Sequence, residues 1–137
     1  MANTFYPSAM SRFAKGEIDW ESDDIRIRAV SSTYTYDSAH EFADDLSGQL
    51  GTETALSGCT VLDDGVLDAT SPLSYPGVTA GQTVAGYAIY KWVTSAADSP
   101  LILFLDTNDD GTPISRAGDG TNIAVVWSST ADRIARI

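Results

Sequence analysis

The hexapeptide Asp106-Thr107-Asn108-Asp109-Asp110-Gly111 has the residue types and spacing of the first half of a calcium loop. Oxygen ligands stand at positions one, three and five, and glycine at six. The second half is missing. Position nine is Ile114, and position twelve is Ala117, where a bidentate glutamate belongs. Two readings follow. One is a weak, nonstandard calcium site at Asp106, Asn108 and Asp110. The other is a polar turn, which Asn, Asp and Gly form readily without any ion.

His40-Glu41 resembles the start of a second metal motif, the zinc-protease helix, which would need another histidine where this chain has Asp44. His40 is the only histidine, so any histidine triad would have to use it. A hydrogen-bonded structural or interface histidine is expected instead. The acidic pairs Asp23-Asp24, Asp44-Asp45, Asp63-Asp64 and Asp109-Asp110 are adjacent residues. Glycoside hydrolysis needs two carboxylates facing each other across a cleft, and adjacency does not supply that. No Gly-x-Ser-x-Gly elbow is present. We therefore assign no catalytic residue and no cofactor, and expect a non-enzyme.

Size and charge narrow the classes further. The 137 residues fit one domain. Nineteen acidic residues stand against 8 basic ones, for a formal net charge of -11. Binding to a phosphate backbone depends on Lys and Arg, so neither nucleic acid nor an anionic membrane is an expected partner. Solubility or a partner with basic patches fits better. Cys59 is the only cysteine, which excludes an intrachain disulfide and a cysteine-based zinc site. Met1-Ala2-Asn3-Thr4-Phe5 has no basic segment followed by a long apolar run, and no stretch reaches transmembrane length. Synthesis and folding in a cytoplasm are expected.

The elements that must position these residues centre on Val84 to Asp106. Val84–Val93 and Leu101–Asp106 are two strand-like runs, apolar on both parities, with Tyr90 and Trp92 on one face and Tyr87, Ile89 and Val93 on the other. Such a pair belongs at the centre of a sheet covered on both sides by a second sheet, a helix or another subunit. Ile25-Arg26-Ile27-Arg28-Ala29-Val30 alternates cleanly, with Ile25, Ile27 and Ala29 inward and both arginines outward. Further strands are expected over 49–57, on either side of Asp63-Asp64-Gly65, at Leu73–Tyr75, at Ile123–Trp127 and at Arg133–Ile137.

A short helix is expected from Phe5 to Gly16, with Met10, Phe13 and Ala14 on one face. Ser38 followed by Glu41 is a capping-box pattern that predicts a second helix through Leu46. The sum is a mainly β chain: an antiparallel β-sandwich or open barrel of about seven or eight strands with two short helices. Residues 1–20 read as an N-terminal helical arm or anchor, and 21–137 as the sandwich-like domain. The aromatics Tyr34, Tyr36, Tyr75, Tyr87, Tyr90 and Trp92 exceed what one small core needs, which suggests burial between subunits.

Ordered blocks run the length of the chain. Tyr6-Pro7, Phe13, Gly16 and Ile18 precede Asp24-Ile25-Arg26-Ile27, Tyr34-Thr35-Tyr36 and Ala39-His40-Glu41-Phe42. Ala55-Leu56-Ser57-Gly58, Val61, Asp64-Gly65-Val66 and Asp68-Ala69 follow. Then come Ala88-Ile89-Tyr90-Lys91, Ser99-Pro100-Leu101-Ile102 and Leu105-Asp106-Thr107, closing with Trp127, Arg133-Ile134 and Ile137. In this order the chain resembles a family of small virion structural proteins of tailed bacteriophages.

That resemblance implies a capsid decoration, or cement, protein that binds the major capsid protein on the outer surface of the virion, as a homo-oligomer with a trimer favoured, after synthesis in the host cytoplasm. A tail or fibre-associated component is the alternative within the class. Relatives of that kind often have small residues where this chain has Asn108-Asp109-Asp110, so calcium binding would be a local feature. Under that resemblance, Pro7, Met10, Phe13, Trp20, Tyr90 and Trp92 are the residues expected at a capsid or subunit interface, the first four on the N-terminal anchoring arm. A carbohydrate-binding module, using Tyr75, Tyr90 or Trp92 as a stacking platform, is the reading from a different class.

Overall fold

Strand-forming stretches recur through the chain, and among the described residues only Pro7–Ala14 forms a regular α-helix. The computed structural model describes residues 4–108, 110–127 and 134–136. In chain order the elements are β1 (Thr4–Phe5), α1 (Pro7–Ala14), β2 (Ile25–Val30), β3 (Gln49–Ala55), β4 (Thr60–Val61), β5 (Val66–Asp68), β6 (Leu73–Tyr75), β7 (Thr83–Val84), β8 (Gly86–Lys91), β9 (Leu101–Leu105), β10 (Arg116–Ala117), β11 (Ile123–Val125) and β12 (Ala135–Arg136). The domain is mainly β, and every pairing is antiparallel. The main sheet has the order β1-β9-β8-β2-β3, and three smaller sheets pair β10 with β7, β11 with β6, and β12 with β5 and β4. The sheets do not close into a barrel, and the segments outnumber the seven or eight expected because many are only two or three residues long. Of the expected closing strand, Arg133 and Ile137 lie outside the described residues.

The pair expected at the centre is there. β8 lies between β9 and β2, and Gly86–Tyr90 and Leu101–Leu105 are all buried. Tyr87 and Ile89 join the larger core with Ile25, Ile27, Ala29 and side chains from the small sheets, among them Leu67, Tyr75 and Ile123. Ala88 and Tyr90 face the second core. A register shift between Ile89 and Tyr90 sets Leu103 opposite Ile89 but Leu101 opposite Tyr90, so Ile102 is an extra residue. The bulge lets Ile102 and Leu103 both enter the larger core, which strict alternation would forbid.

The second face is closed by the chain itself. Tyr6, Tyr34, Ala43 and Leu46 pack there against Val30, Ala88, Tyr90, Leu101 and Phe104. Each large side chain withdrawn from water contributes about 1.5–3 kcal/mol before entropy. That is enough to hold a cap with little regular structure of its own. The helix expected over 38–46 is reduced to a 3-10 turn at Ala43–Asp45. Tertiary bonding overrides the Ser38–Glu41 pattern: Leu101 N–H donates to the Glu41 carbonyl at 2.9 Å, and Ala43 N–H to the Ser99 carbonyl at 2.8 Å. The segment zips along the start of β9 and cannot coil. The Asp45 carboxylate accepts the Glu41 and Phe42 N–H groups.

α1 forms where expected. Pro7 sits at its start, where no N–H is needed. Its buried side is centred on Ala9, with Phe13 one turn later packed on the larger core. Met10 is 37% exposed, so the expected Met10–Phe13–Ala14 face is rotated relative to the one that docks. β3 carries a second irregularity. Ile27 pairs with Thr54, but Ala29 pairs with Leu50. The displaced loop holds Gly51 at φ 66°, where an added Cβ would lie 2.5 Å from the Pro76 carbonyl oxygen.

Candidate functional site

A polar arrangement lies on the second face of the main sheet, beside its cap. Alternation along β2 puts Arg26 and Arg28 there while Ile25, Ile27 and Ala29 enter the core. Arg26 stands opposite Tyr90 of β8, and Arg28 opposite Ala88. Glu53 reaches the same strip from β3, and Trp92 from just beyond the end of β8.

Arg26 is saturated. Its Nε and Nη2 donate to the two Asp24 carboxylate oxygens at 3.2 and 2.9 Å, and Nη1 donates to Glu53 Oε1 at 2.9 Å. Its guanidinium lies 4.5 Å from the centroid of Trp92, a cation–π stack. The other Glu53 oxygen accepts the Tyr90 hydroxyl. Burial, then the bond to Glu53, holds the Tyr90 phenol well above its ordinary value, so it is a hydroxyl donor at any physiological pH. Arg26 is thus paired across the strands with Glu53. Among the described residues Arg28 has no carboxylate partner, and its Nε, like that of Arg12, is sealed from solvent and unbonded.

A second constellation sits under the cap. The hydroxyls of Tyr6 and Tyr34 are 2.7 Å apart, and that of Tyr34 is 2.8 Å from His40 Nδ1. His40 is thus a hydrogen-bonded member of a packed cluster with Tyr34, Tyr6, Tyr36 and Phe104. Arg12 of α1 stacks on Phe42 at 5.2 Å and approaches Glu41 at 3.8 Å.

The other expected residues fall as follows. Pro7 is exposed, Phe13 is half-buried, and Trp20 is interior, its indole Nε1 donating to the Asp68 carbonyl at 2.9 Å. With Tyr6, Ala9 and Ile18 also buried, and β1 paired to β9, residues 4–20 are knit into the body. Tyr90 is interior and Trp92 half-buried. Tyr34, Tyr75 and Tyr87 are also buried, so the aromatic surplus is absorbed by two cores inside one chain. In the 106–111 turn, Asp106 accepts the Thr107 hydroxyl, and Asp110 Oδ1 accepts both the N–H and the hydroxyl of Thr112. Those bonds, the hydroxyl first, draw the Asp110 carboxyl below its ordinary value. The Asn108 amide nitrogen points back to Thr112 and Pro113. This is the geometry of a self-bonded polar turn. Asp109 lies outside the described residues, and among those described no group of three His, Cys, Asp or Glu side chains converges as a metal site.

Comparison of the chain with protein-family models, with curated proteins and with solved structures finds no match. Sequence reasoning put Arg26 and Arg28 on the outward face of one strand and Tyr90 with Trp92 on one face of another, but it did not bring the two strands together and did not find Glu53. The alternation that puts Leu50 and Thr54 on one side of β3 was the available signal, and the shift at Gly51 weakened it.

Proposed function

We propose that the chain is a structural component of a tailed-bacteriophage particle, and first a capsid decoration protein that binds the major capsid protein from outside. One observation carries the proposal: several of the ordered sequence blocks through which the chain resembles such proteins contribute residues that pack this fold. Tyr34 and Tyr36 pack in the cap, His40 is hydrogen-bonded to Tyr34 there, and Ala88–Lys91 and Leu101–Ile102 lie in the central pair. A layered, sandwich-like scaffold with both faces of its main sheet packed is suited to a passive load-bearing part. Cementing requires area, complementary charge and symmetry, with contacts that must break together. The net charge of -11 favours basic loops on the capsid.

A trimer fits the same reading, but the cap already covers the second sheet face, so subunits would meet elsewhere. Exposed Pro7 and Met10 on α1 are the proposed contact. A tail or fibre location is the second reading within the class. The carbohydrate-binding reading loses ground, since Tyr75 and Tyr90 are interior and Arg26 occupies one face of Trp92.

The test is to add purified protein to heads lacking it and image them by cryo-electron microscopy. Ordered density on the outer shell is expected. Density confined to tails would transfer the assignment to the alternative, and absence from both would end it. Met10→Asp, at an exposed position of α1, should reduce head binding without altering the fold.

A further inference from the structure

The hydrogen-bond chain Tyr6–Tyr34–His40 under the cap has a fixed direction. Tyr6 is fully buried, and its hydroxyl has one hydrogen-bond partner among the described residues, the hydroxyl of Tyr34 at 2.7 Å. A hydroxyl carries a single donor, and a buried donor is used. Tyr6 therefore donates to Tyr34. Burial, then this bond, holds the Tyr6 phenol far above its ordinary value, so the proton stays on it. Tyr34 is left with its own hydrogen to place, and His40 Nδ1 stands 2.8 Å away. Nδ1 is then the bare nitrogen of a neutral imidazole, with the ring proton on Nε2.

A second proton on His40 breaks this order. Nδ1 becomes a donor, Tyr34 must turn its hydrogen toward Tyr6, and the Tyr6 hydrogen faces an interior whose described residues offer it no acceptor. Withdrawal of the half-buried ring into water instead leaves Tyr34 without its acceptor. Both outcomes loosen the same contact. We infer that His40 is an acid-sensitive latch: its protonation releases the cap, residues 31–48 between β2 and β3, from the second face of the main sheet and uncovers Ala88, Tyr90, Leu101 and Phe104.

The charged groups around the ring do not reverse the sign. Asp37, Glu41 and Asp45 of the cap favour an imidazolium, and Arg12 of α1 opposes it. Tyr6, Tyr34 and Tyr36 have phenols raised by burial and stay neutral, and β9 brings Phe104. The three carboxylates are exposed and already engaged: Asp37 accepts the Ala39 N–H, Asp45 accepts the Glu41 and Phe42 N–H groups, and Glu41 faces Arg12. Exposed charge pairs contribute little, whereas a stranded interior donor has no substitute for its partner. The open cap takes up the proton without that penalty. Its population therefore rises as the pH falls through the histidine range, and the closed cap is fully favoured above that range.

Two amides bridge the cap and the start of β9 and report on the latch: Ala43 N–H bonds the Ser99 carbonyl, and Leu101 N–H bonds the Glu41 carbonyl. Their hydrogen-exchange protection, corrected for the intrinsic pH dependence, is compared with that of the β2 and β8 ladder amides at about pH 7.5 and about pH 5.5, either side of the histidine range. Wild type should lose about ten-fold protection at both amides while the ladder keeps its own, the scale of one stranded donor. His40→Asn keeps a neutral acceptor, and Tyr6→Phe has no hydrogen to strand; each should lose less than about two-fold, because neither leaves a donor unpaired on acidification. Unchanged wild-type protection, a loss shared by the ladder, or a loss as large in Tyr6→Phe overturns the latch. The starting state is read from the ring nitrogen-15 shifts of wild-type His40, the only histidine in the chain, at the higher pH. A bare Nδ1 is expected there, and a protonated Nδ1 overturns the inference whether or not a variant folds.

Discussion

The hydroxyl of Tyr75 donates to the carbonyl of Leu50 at 2.6 Å and accepts the Ala29 N–H at 2.9 Å. It stands in for a rung of the β2–β3 ladder at the point where the register shifts. A side chain from a small sheet thereby completes the backbone bonding of the main one, and joins two layers through a hydrogen bond as well as through packing.

Removing that oxygen leaves two interior backbone groups without partners. Tyr75→Phe should lower stability by about 2 kcal/mol, on the scale of one or two stranded polar groups. Urea unfolding measures it. A change below about 0.5 kcal/mol would mean that the strands close the gap unaided, since that is the scale of ordinary surface substitutions.

Gly86 faces Phe104 so closely that an added Cβ would lie 2.6 Å from its Cζ. Gly86→Ala should therefore cost about 1–3 kcal/mol by overpacking. Combining it with Phe104→Leu should recover part of that loss. The double-mutant cycle from thermal melts gives the coupling, and strict additivity would contradict steric conflict between the two.

The Asp45 carboxyl is held below its ordinary 3.8 chiefly by the Glu41 N–H, then by that of Phe42, with a smaller contribution from His40. A carboxyl depressed in the folded state stabilises at neutral pH and loses that contribution as the pH falls through the folded value. Asp45→Asn should lower the melting temperature at pH 7 and flatten its decline between ordinary carboxylate titration and stronger acid. An unchanged acid limb would show that the cap is not anchored there.

Cys59 is half-buried at the edge of the larger core, and burial pushes its thiol above the ordinary 9.0. Ellman's reagent at pH 8 should react slowly with native protein and fully after addition of denaturant. Native reaction as fast as that of the unfolded chain would refute this placement.

The central strands were legible because their signal is local: continuous apolar runs at 87–90 and 101–105 allow little else, and Ile25–Ala29 alternates without interruption. The capping element was not. Ser38 and Glu41 have the composition of a helix start, and only the groups offered by Ser99 and Leu101, far along the chain, decide otherwise. The bulge at Ile102 was hidden for the same reason, because it depends on which residue faces Tyr90. Reading Tyr34, Tyr75 and Tyr87 as a surface excess assumed one core; the main sheet supports two. Of the strip, the arginines followed from period-two spacing, whereas Glu53 depends on a register that no local pattern states.

The pairing of Thr4 with Phe104 and Phe5 with Leu103 has a consequence for the order of events during synthesis. β1 emerges from the ribosome long before β9, the strand it must border, and Tyr6 waits as long for its bond to the Ile102 carbonyl. The sheet cannot close on a partial chain, so assembly is late and dominated by distant contacts, a topology associated with slow folding. A nascent chain halted before Leu101 would leave β8 with one border unfilled, and would be the species most exposed to sticking to its neighbours.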